Sequence, residues 1–222
     1  MNTLPLSLPR FRLLFLLLAT SFALTGLVVF RSLLMHNWFY FRCLSWNLFL
    51  AWIPIALALK AEQLAVRTRF PRFKMLVVAG MWGLFFPNAP YLITDFVHLH
   101  HAPGLPLWFD AAMLVGYALT GLLTGLLSLY WMHRLAAQRL GGRRATLLLT
   151  AYIPLSAWGV YLGRELRWNS WDIVFRPHYL LFDALTRGTN SKALLMTIEF
   201  SLLIGFSYLV LLALMHLNPR HD

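Results

Sequence analysis

Two polar stretches interrupt an otherwise apolar chain, and they hold the side chains best suited to chemistry. The first stretch, residues 86–98, contains Asp95 and His98. A carboxylate and an imidazole on adjacent helical turns can work as an acid/base pair or bind a metal ion. The alternative is that Asp95 satisfies backbone groups freed at a helix break, with the histidines exposed in a loop. His100 and His101 add ligand capacity, but no second ligand pair follows at a diagnostic spacing, so we predict no metal site.

The second polar stretch, residues 163–172, contains two arginines, Arg164 and Arg167. Arginine forks match carboxylates and phosphates in bidentate fashion, so these side chains are candidates for holding an anionic substrate. Alternatively, an arginine locks helices together by pairing with a carboxylate elsewhere in the chain. The candidate partners for such a lock are Asp95, Asp110 and Glu199. Ion pairs and ligand clamps look alike in a sequence, so both interpretations stay open.

Polar residues inside the apolar segments complete the candidate set. Asp110 and Glu199 fall within hydrophobic spans, where an ionisable side chain is a functional hypothesis, although pairing with an arginine explains it equally well. Asn47, near the end of another span, can join the same cluster. Asp172 lies two residues after Ser170. The alternative to a chemical role for Asp172 is that this turn caps the start of a helix. We predict catalytic roles for Asp95, His98, Glu165 and Asp172. We predict substrate-binding roles for Asn88, Tyr91, Asp110, Arg164, Arg167, Asn169 and Glu199.

Composition indicates the environment in which these residues work. The chain of 222 residues is 59% hydrophobic and only 12% charged, with a mean hydropathy of +0.65. Soluble domains have about 25% charged residues, so the sequence predicts an all-α integral membrane protein in contact with the lipid bilayer. The net charge of +11 fits basic loops against anionic lipid headgroups at the cytoplasmic face, and we predict no nucleic-acid partner. The single cysteine, Cys43, excludes an intramolecular disulfide, and the sequence identifies no cofactor.

Six segments have the roughly 20 apolar residues that a membrane-spanning helix requires. They are residues 11–30, 44–61, 74–93, 108–131, 145–163 and 193–217, and they predict a single polytopic domain. Basic residues in the short loops 62–74 and 132–144 place these loops and both termini in the cytoplasm. Six of the eight acidic residues then fall at the outer side, namely Asp95, Asp110, Glu165, Asp172, Asp183 and Glu199. The sequence therefore predicts a working face on the outer side.

Proline predicts where the third span departs from a regular helix. Pro87 and Pro90 cannot both lie in an unbroken helix without freeing backbone carbonyls, so we predict a broken third helix at Pro87–Pro90. Asn88 is suited to cap a new helical segment that begins near Pro90. On that segment Tyr91, Asp95 and His98 would share one face. A second short helix, over residues 178–186, can lie in the membrane interface.

With these residues identified, the chain resembles a family of bacterial membrane proteins catalogued as Domain of Unknown Function 1361. The resemblance rests on Phe86-Pro87-Asn88-Ala89-Pro90-Tyr91, Thr94-Asp95, His98-Leu99, Trp108-Phe109-Asp110, Gly163-Arg164, Arg167 and Asn169-Ser170-Trp171-Asp172. It covers residues from about 45 to 215. The resemblance implies a multi-spanning bacterial protein of about this length, which we expect in the inner membrane. It implies no activity, cofactor or partner.

Three functions fit these expectations. We expect the loops 94–107 and 164–192 to meet over the outer helix ends and form a polar pocket. The pocket would be the active site of an envelope enzyme acting on a lipid-linked or anionic substrate, with Asp95 as the base. Alternatively, the polar cluster locks the helices of a structural or assembly subunit. A small transporter component is the third possibility, although the inner halves of the spans are almost purely apolar.

Overall fold

The computed structural model describes residues 8–66, 72–101 and 105–216. These residues form nine α-helices and one 3₁₀ helix, and the described ranges contain no strand, which confirms the all-α prediction. The α-helices are α1 (Leu8–Met35), α2 (Phe39–Ala65), α3 (Arg72–Phe85), α4 (Asn88–Tyr91), α5 (Leu107–Leu140), α6 (Gly142–Glu165), α7 (Asp172–Phe175), α8 (Pro177–Thr186) and α9 (Ser191–His216). The 3₁₀ helix, Leu92–His101, lies between α4 and α5.

Six helical stretches of the described chain are long and apolar enough to cross a membrane, as predicted. They are Arg10–Met35, Phe39–Ala65, Arg72–Leu99, Leu107–Leu140, Gly142–Glu165 and Ser191–Met215. Each stretch contains most of one predicted span and extends beyond it at one end or both. Apolar periodicity locates helices better than it locates their ends, because polar residues continue a helix beyond its apolar part.

Helix α5 is the centre of the bundle. In its most apolar segment 67% of the residues are buried, against 17% in the corresponding segments of α1 and α9. Consecutive membrane-length helices run antiparallel: Arg10 near the start of α1 pairs with Glu62 near the end of α2, at 2.9 Å. Lys192 at the start of α9 likewise pairs with Glu165 at the end of α6, at 2.6 Å. We call the end of the bundle where α3 and α6 finish and α5 and α9 begin the site end.

The chain between α3 and α5 carries the first polar stretch across the site end. The α-helix of α3 ends at Phe85, and Asn88 begins the single turn of α4. The prediction that Asn88 caps a helix near Pro90 is wrong, because the turn starts at Asn88 itself and no side chain caps it. The Nδ2 of Asn88 instead donates to the carbonyl of Phe85 at 2.8 Å, which satisfies a group left open where α3 ends. The stretch after Tyr91, expected to be a loop from residue 94, continues as the 3₁₀ helix.

Close contact between α4 and α5 fixes the position of this segment. A Cβ atom on Gly121 of α5 would lie 2.7 Å from the carbonyl oxygen of Ala89 and 2.6 Å from the Leu92 side chain. Only glycine permits this approach, as in other close helix contacts within membranes. Ala89 and Leu92 are fully buried against Tyr117 and Leu114 of α5. Asp95, one 3₁₀ turn after Leu92, is therefore held at a defined position near α5.

Candidate functional site

The buried carboxylate of Asp95 joins three parts of the chain at the site end. Its side chain is only 1% exposed, so its charge requires partners within the protein. The Nδ2 of Asn47, on α2, donates to Oδ2 at 2.9 Å. The Nη1 of Arg164, on α6, lies 3.4 Å from Oδ1, and the Nε2 of His98 lies 4.0 Å from the same oxygen. Both oxygens of Asp95 thus face polar groups, as a buried carboxylate needs.

Arg164 connects this carboxylate with Tyr91. Its Nη1 lies 3.4 Å from the Tyr91 hydroxyl, and its guanidinium carbon lies 5.8 Å from the centre of the Tyr91 ring. Asp95 and Tyr91 thus share one side of their segment, as predicted, although the geometry is 3₁₀ from residue 92 onward. The structure joins the two polar stretches through the pair between Asp95 and Arg164.

A cavity of about 450 Å³ lies beside this network, between α2, α3, α4 and α6. Its volume falls within the roughly 300–1,000 Å³ that is typical of small-molecule sites. Asn47 on α2 and Gly80 on α3 border it, and on α6 it extends from Gly163 to Tyr152, which corresponds to about 16 Å of helix. That length is about half the roughly 30 Å hydrocarbon thickness of a bilayer.

Most of the polar lining of the cavity lies at the site end, and Tyr152 and Ser156 are the polar residues of its deeper part. Asn88 donates from Nδ2 to the hydroxyl of Ser170 at 3.0 Å, which is a third contact between the two polar stretches. Asn169 and Tyr91 also line this part, whereas Gly80, Leu84 and Leu155 line deeper parts. The described residues that border the cavity include no Asp, Glu, Lys, Arg or His. The site is therefore amphipathic and uncharged on its inner surface.

Aromatic rings border the cavity on several sides. Trp46, half exposed on α2, lies 6.4 Å from Trp171, measured between ring centres, and also lines the cavity. Trp158 lines it as well, and its Nε1 donates to the carbonyl of Gly188 at 2.8 Å. Trp168 borders both this cavity and a second one of about 340 Å³. The second cavity also contacts Arg176 and Asp183, and Asp183 accepts a hydrogen bond from Trp168 Nε1 at 3.1 Å.

Asp110 lies apart from this cavity, in a different ion pair. Arg31 of α1 binds it in bidentate fashion, with Nε to Oδ1 at 2.6 Å and Nη2 to Oδ2 at 2.9 Å. The two side chains are 2% and 1% exposed, and the guanidinium carbon lies 4.1 Å from the centre of the Tyr40 ring. Arg31 is thus an important residue that the sequence analysis did not single out. The interpretation that Asp110 pairs with an arginine is confirmed. The partner is Arg31, however, and neither arginine of the second polar stretch.

The remaining predicted carboxylates also lie outside the cavity lining. Glu165 pairs with Lys192, and Asp172 accepts bonds from the backbone N (2.8 Å) and Nδ2 (3.3 Å) of Asn169. Asp172 is the first residue of α7, so a helix does start at this turn, but no side chain caps it. Glu199 is exposed on the surface of α9 and, within the described chain, lines neither cavity. Glu199 is therefore not part of this cavity, and its substrate-binding role stays a prediction.

Arg167 and the histidines complete the comparison with the sequence. Arg167 has a φ of +60° and is exposed, and it does not line the cavity. His98 lies at the edge of the Asp95 network, with its ring 5.2 Å from that of Phe39. The side chains of His100 and His101 lie outside the described residues. Within the described chain, no three potential ligands form a metal-binding group.

Sequence reasoning missed the residues that make the cavity. Trp46, Gly80 and Gly159 line it, and none of them carries a group that would mark a chemical site. Two of them are glycines, and a sequence cannot distinguish a glycine that leaves space from one that permits close packing. At Gly80 a Cβ would have no neighbour within 4 Å, whereas at Gly159 it would lie 3.0 Å from Cγ of Pro87. The available signal was the pair of glycines in each of the two helices, Gly80 and Gly83 in α3 and Gly159 and Gly163 in α6.

The geometry favours binding over direct proton transfer by Asp95. A general base must lie within about 2.6–3.2 Å of the proton that it takes, or reach it through one water molecule. Asp95 does not line the cavity, whereas Asn47 both lines it and donates to Asp95. The carboxylate is thus placed to orient Asn47 and Arg164. The groups that can contact a ligand directly are amides, hydroxyls and aromatic rings.

Six apolar helices that are long enough to cross a membrane define a multi-pass helical membrane protein. The chain belongs to the family described as Protein of unknown function (DUF1361), whose model matches residues 46–207. The match confirms the resemblance noted from the polar strings and includes every residue of the Asp95 network and of the cavity lining. No curated protein and no solved structure matches the chain.

Proposed function

We propose that this protein is an enzyme of the bacterial inner membrane that binds a lipid-linked substrate in the cavity at the site end. The proposal rests on one continuous cavity that joins amide and hydroxyl groups at the site end to a mainly apolar interior, which extends about 16 Å further along α6. This shape and polarity match a molecule with a polar head and one apolar chain. A substrate confined to one leaflet would fill it without crossing the bilayer.

In this proposal the site end faces outward. The basic residues that set the orientation lie in the short connections at the opposite end, and both termini are then cytoplasmic. The interruption of the third span at Pro87–Pro90 would let a polar backbone segment border the site, since irregular backbone at membrane depth occurs where it lines a cavity. Helix α8 exposes Tyr179, Leu181 and Phe182, which suits a position in the outer membrane interface.

Asp95 serves the site indirectly in this proposal. It holds Asn47 at the cavity wall and balances the charge of Arg164, so it acts as a positioning residue. Asn88, Ser170 and Asn169 would contact the polar head of the substrate. Glu165, Asp172 and Arg167 would then have structural or surface roles.

A structural or assembly role is the second candidate, and a specific observation favours it. Asp95, Asp110 and Glu165 are each engaged in an ion pair between helices. Pairs of this kind hold helices together whether or not the cavity binds a ligand. The two functions differ in what a blocked cavity would do, because a scaffold would not need the cavity to be open.

The test blocks the cavity without disturbing the ion pairs. Gly80→Leu would place a side chain into the deep part of the cavity, where a Cβ has no neighbour within 4 Å. Gly205→Leu on α9 is the matched control, because it is also a helical glycine with open space and does not line the cavity. Envelope lipids and glycans would be profiled by mass spectrometry in a deletion strain that carries the wild type or either variant.

If the protein is an enzyme, the abundance of one lipid species should change in the deletion strain. The shift would persist with Gly80→Leu and be reversed by the wild type and by Gly205→Leu, with all proteins present at equal level. If Gly80→Leu restores the profile as well as the wild type does, the cavity is not the active site. A profile that the deletion leaves unchanged would favour the scaffold.

A further inference from the structure

The substrate class can be narrowed from the charge of the cavity, on the basis of the proposed function. We infer that the cavity binds a lipid whose head is a neutral, hydroxyl-rich group such as a glycosyl unit, and that it discriminates against phosphate-bearing heads. The inference concerns the polar part of the cavity, which Asn47, Asn88, Asn169 and Ser170 line.

The first argument is the absence of a cation that an anionic head could contact. Within the described chain, the cavity lining contains no charged side chain. The guanidinium of Arg164, in the network beside the cavity, lies 3.4 Å from Asp95, and their charges offset each other. Placing an anion in an apolar site without a paired cation is strongly unfavourable. A phosphate head would therefore lose its hydration without gaining an ion pair.

The second argument is the supply of neutral donors and acceptors. Both hydrogen bonds of the Asn88 side chain use Nδ2, to Phe85 and to Ser170, so its Oδ1 remains as an acceptor. Ser170 accepts from Asn88, so its own O–H remains as a donor. Asn47 uses Nδ2 toward Asp95, which likewise leaves an amide oxygen. Alternating acceptors and donors of this kind match hydroxyl groups, each of which can donate and accept.

The third argument is the aromatic wall. Trp46 and Trp168 line the cavity near its polar part, and Trp46 is half exposed with its indole available at the surface. The face of an aromatic ring is electron-rich and attracts polarised C–H groups, which a sugar ring presents on its less polar face. A ring that stacks on tryptophan while its hydroxyls bond to amides explains both features of the lining. An anionic head explains neither of them.

The test compares two amphiphiles with the same chain and different heads. Full-length protein in a polyoxyethylene detergent would be titrated with octyl glucoside or with octyl phosphate, and one-to-one adducts would be counted by native mass spectrometry. We expect half-occupancy by octyl glucoside at about tenfold lower concentration than by octyl phosphate. Trp46→Ala should raise the required octyl glucoside concentration about tenfold, an effect of roughly 1.4 kcal/mol.

Matched controls separate this inference from the proposed function. Trp108→Ala removes a tryptophan that is 70% exposed at the same end of the bundle but does not line the cavity, so it should leave binding unchanged. Equal or tighter binding of octyl phosphate, still blocked by Gly80→Leu, would overturn the neutral-head inference and retain the lipid site. Binding of neither amphiphile, or binding that Gly80→Leu leaves intact, would overturn both the inference and the proposed function.

Discussion

The Nδ2 of Asn47 donates a 2.9 Å hydrogen bond to Oδ2 of Asp95, and it connects the cavity to a carboxylate that does not line it. The two residues are on different helical segments, 48 positions apart. Arg164 lies on the other oxygen of the same carboxylate. The buried charge thus determines where a wall residue of the cavity sits, although it cannot touch a ligand there.

The first prediction concerns this hydrogen bond. Asn47→Leu keeps the approximate volume but leaves one oxygen of a buried carboxylate without its donor. An unsatisfied buried polar group costs about 1–3 kcal/mol, so the variant should unfold at a lower temperature. Loss of tertiary structure on heating, followed by fluorescence-detected size-exclusion chromatography, would measure the change.

A double-mutant cycle makes this prediction specific. Introducing Asn47→Leu into an Asp95→Asn background should lower the melting temperature by less than in the wild type, since the unpaired charge is then absent. An equal loss in both backgrounds would mean that Asn47 contributes through packing alone.

The second prediction contrasts two ion pairs of different burial. Arg31 and Asp110 form a bidentate pair that is almost fully buried. In the pair between Lys192 and Glu165, by contrast, the lysine side chain is 67% exposed. Removing one partner of a buried pair costs about 3–5 kcal/mol because the other charge stays buried. Exposed pairs contribute about 0–1 kcal/mol. Asp110→Ala should therefore strongly reduce the folded protein recovered from membranes, and Lys192→Ala should barely change it.

A paired replacement checks the cause of the Asp110→Ala effect. When both members of a buried pair become apolar, the loss is often small. The double variant Arg31→Met with Asp110→Leu should therefore recover much of the protein lost in Asp110→Ala. Continued loss in the double variant would show that the bidentate pair has a role other than charge compensation.

The sequence predicts the membrane helices and the meeting of the two polar stretches. Spans depend on composition over about 20 residues, which is a local property. The contacts between Asp95 and Arg164 and between Asn88 and Ser170 follow from the placement of both stretches at the same end of antiparallel helices. This much requires only the number of spans and their alternation.

The partners of individual side chains require the rotation of each helix, which the sequence does not encode locally. Asp110 finds Arg31, which is 79 positions away, instead of the arginines of the second polar stretch. Glu199 lies on an exposed face of α9. The sequence does not predict this, because α9 is apolar on all sides and no periodicity identifies its packed face. The cavity escaped prediction for a related reason, since empty space depends on how several helices fit together.

The third prediction tests the close contact between α4 and α5. Gly121→Ala would place a Cβ 2.7 Å from the carbonyl oxygen of Ala89, and neither backbone can move independently of its helix. Overpacking of this kind costs about 1–3 kcal/mol, so the melting temperature should fall.

Gly205→Ala is the control, because its Cβ would have no neighbour within 4 Å. A helical alanine is favoured over glycine by up to about 1 kcal/mol, so the control should be unchanged or slightly more stable. Equal melting temperatures for the two variants would contradict the close approach.

The fourth prediction tests which side of the membrane the site end faces. Cys43 is the only cysteine, so Cys43→Ser gives a background without thiols. Thr189→Cys, in the exposed connection between α8 and α9, and Gly142→Cys, at the exposed first residue of α6, mark opposite ends of the bundle. In intact spheroplasts a membrane-impermeant maleimide should label Thr189→Cys and should label Gly142→Cys only after lysis. This outcome follows from the positive-inside rule, because the connection near Gly142 is rich in arginine. The reverse pattern would place the cavity mouth in the cytoplasm, and the substrate would then have to come from the inner leaflet.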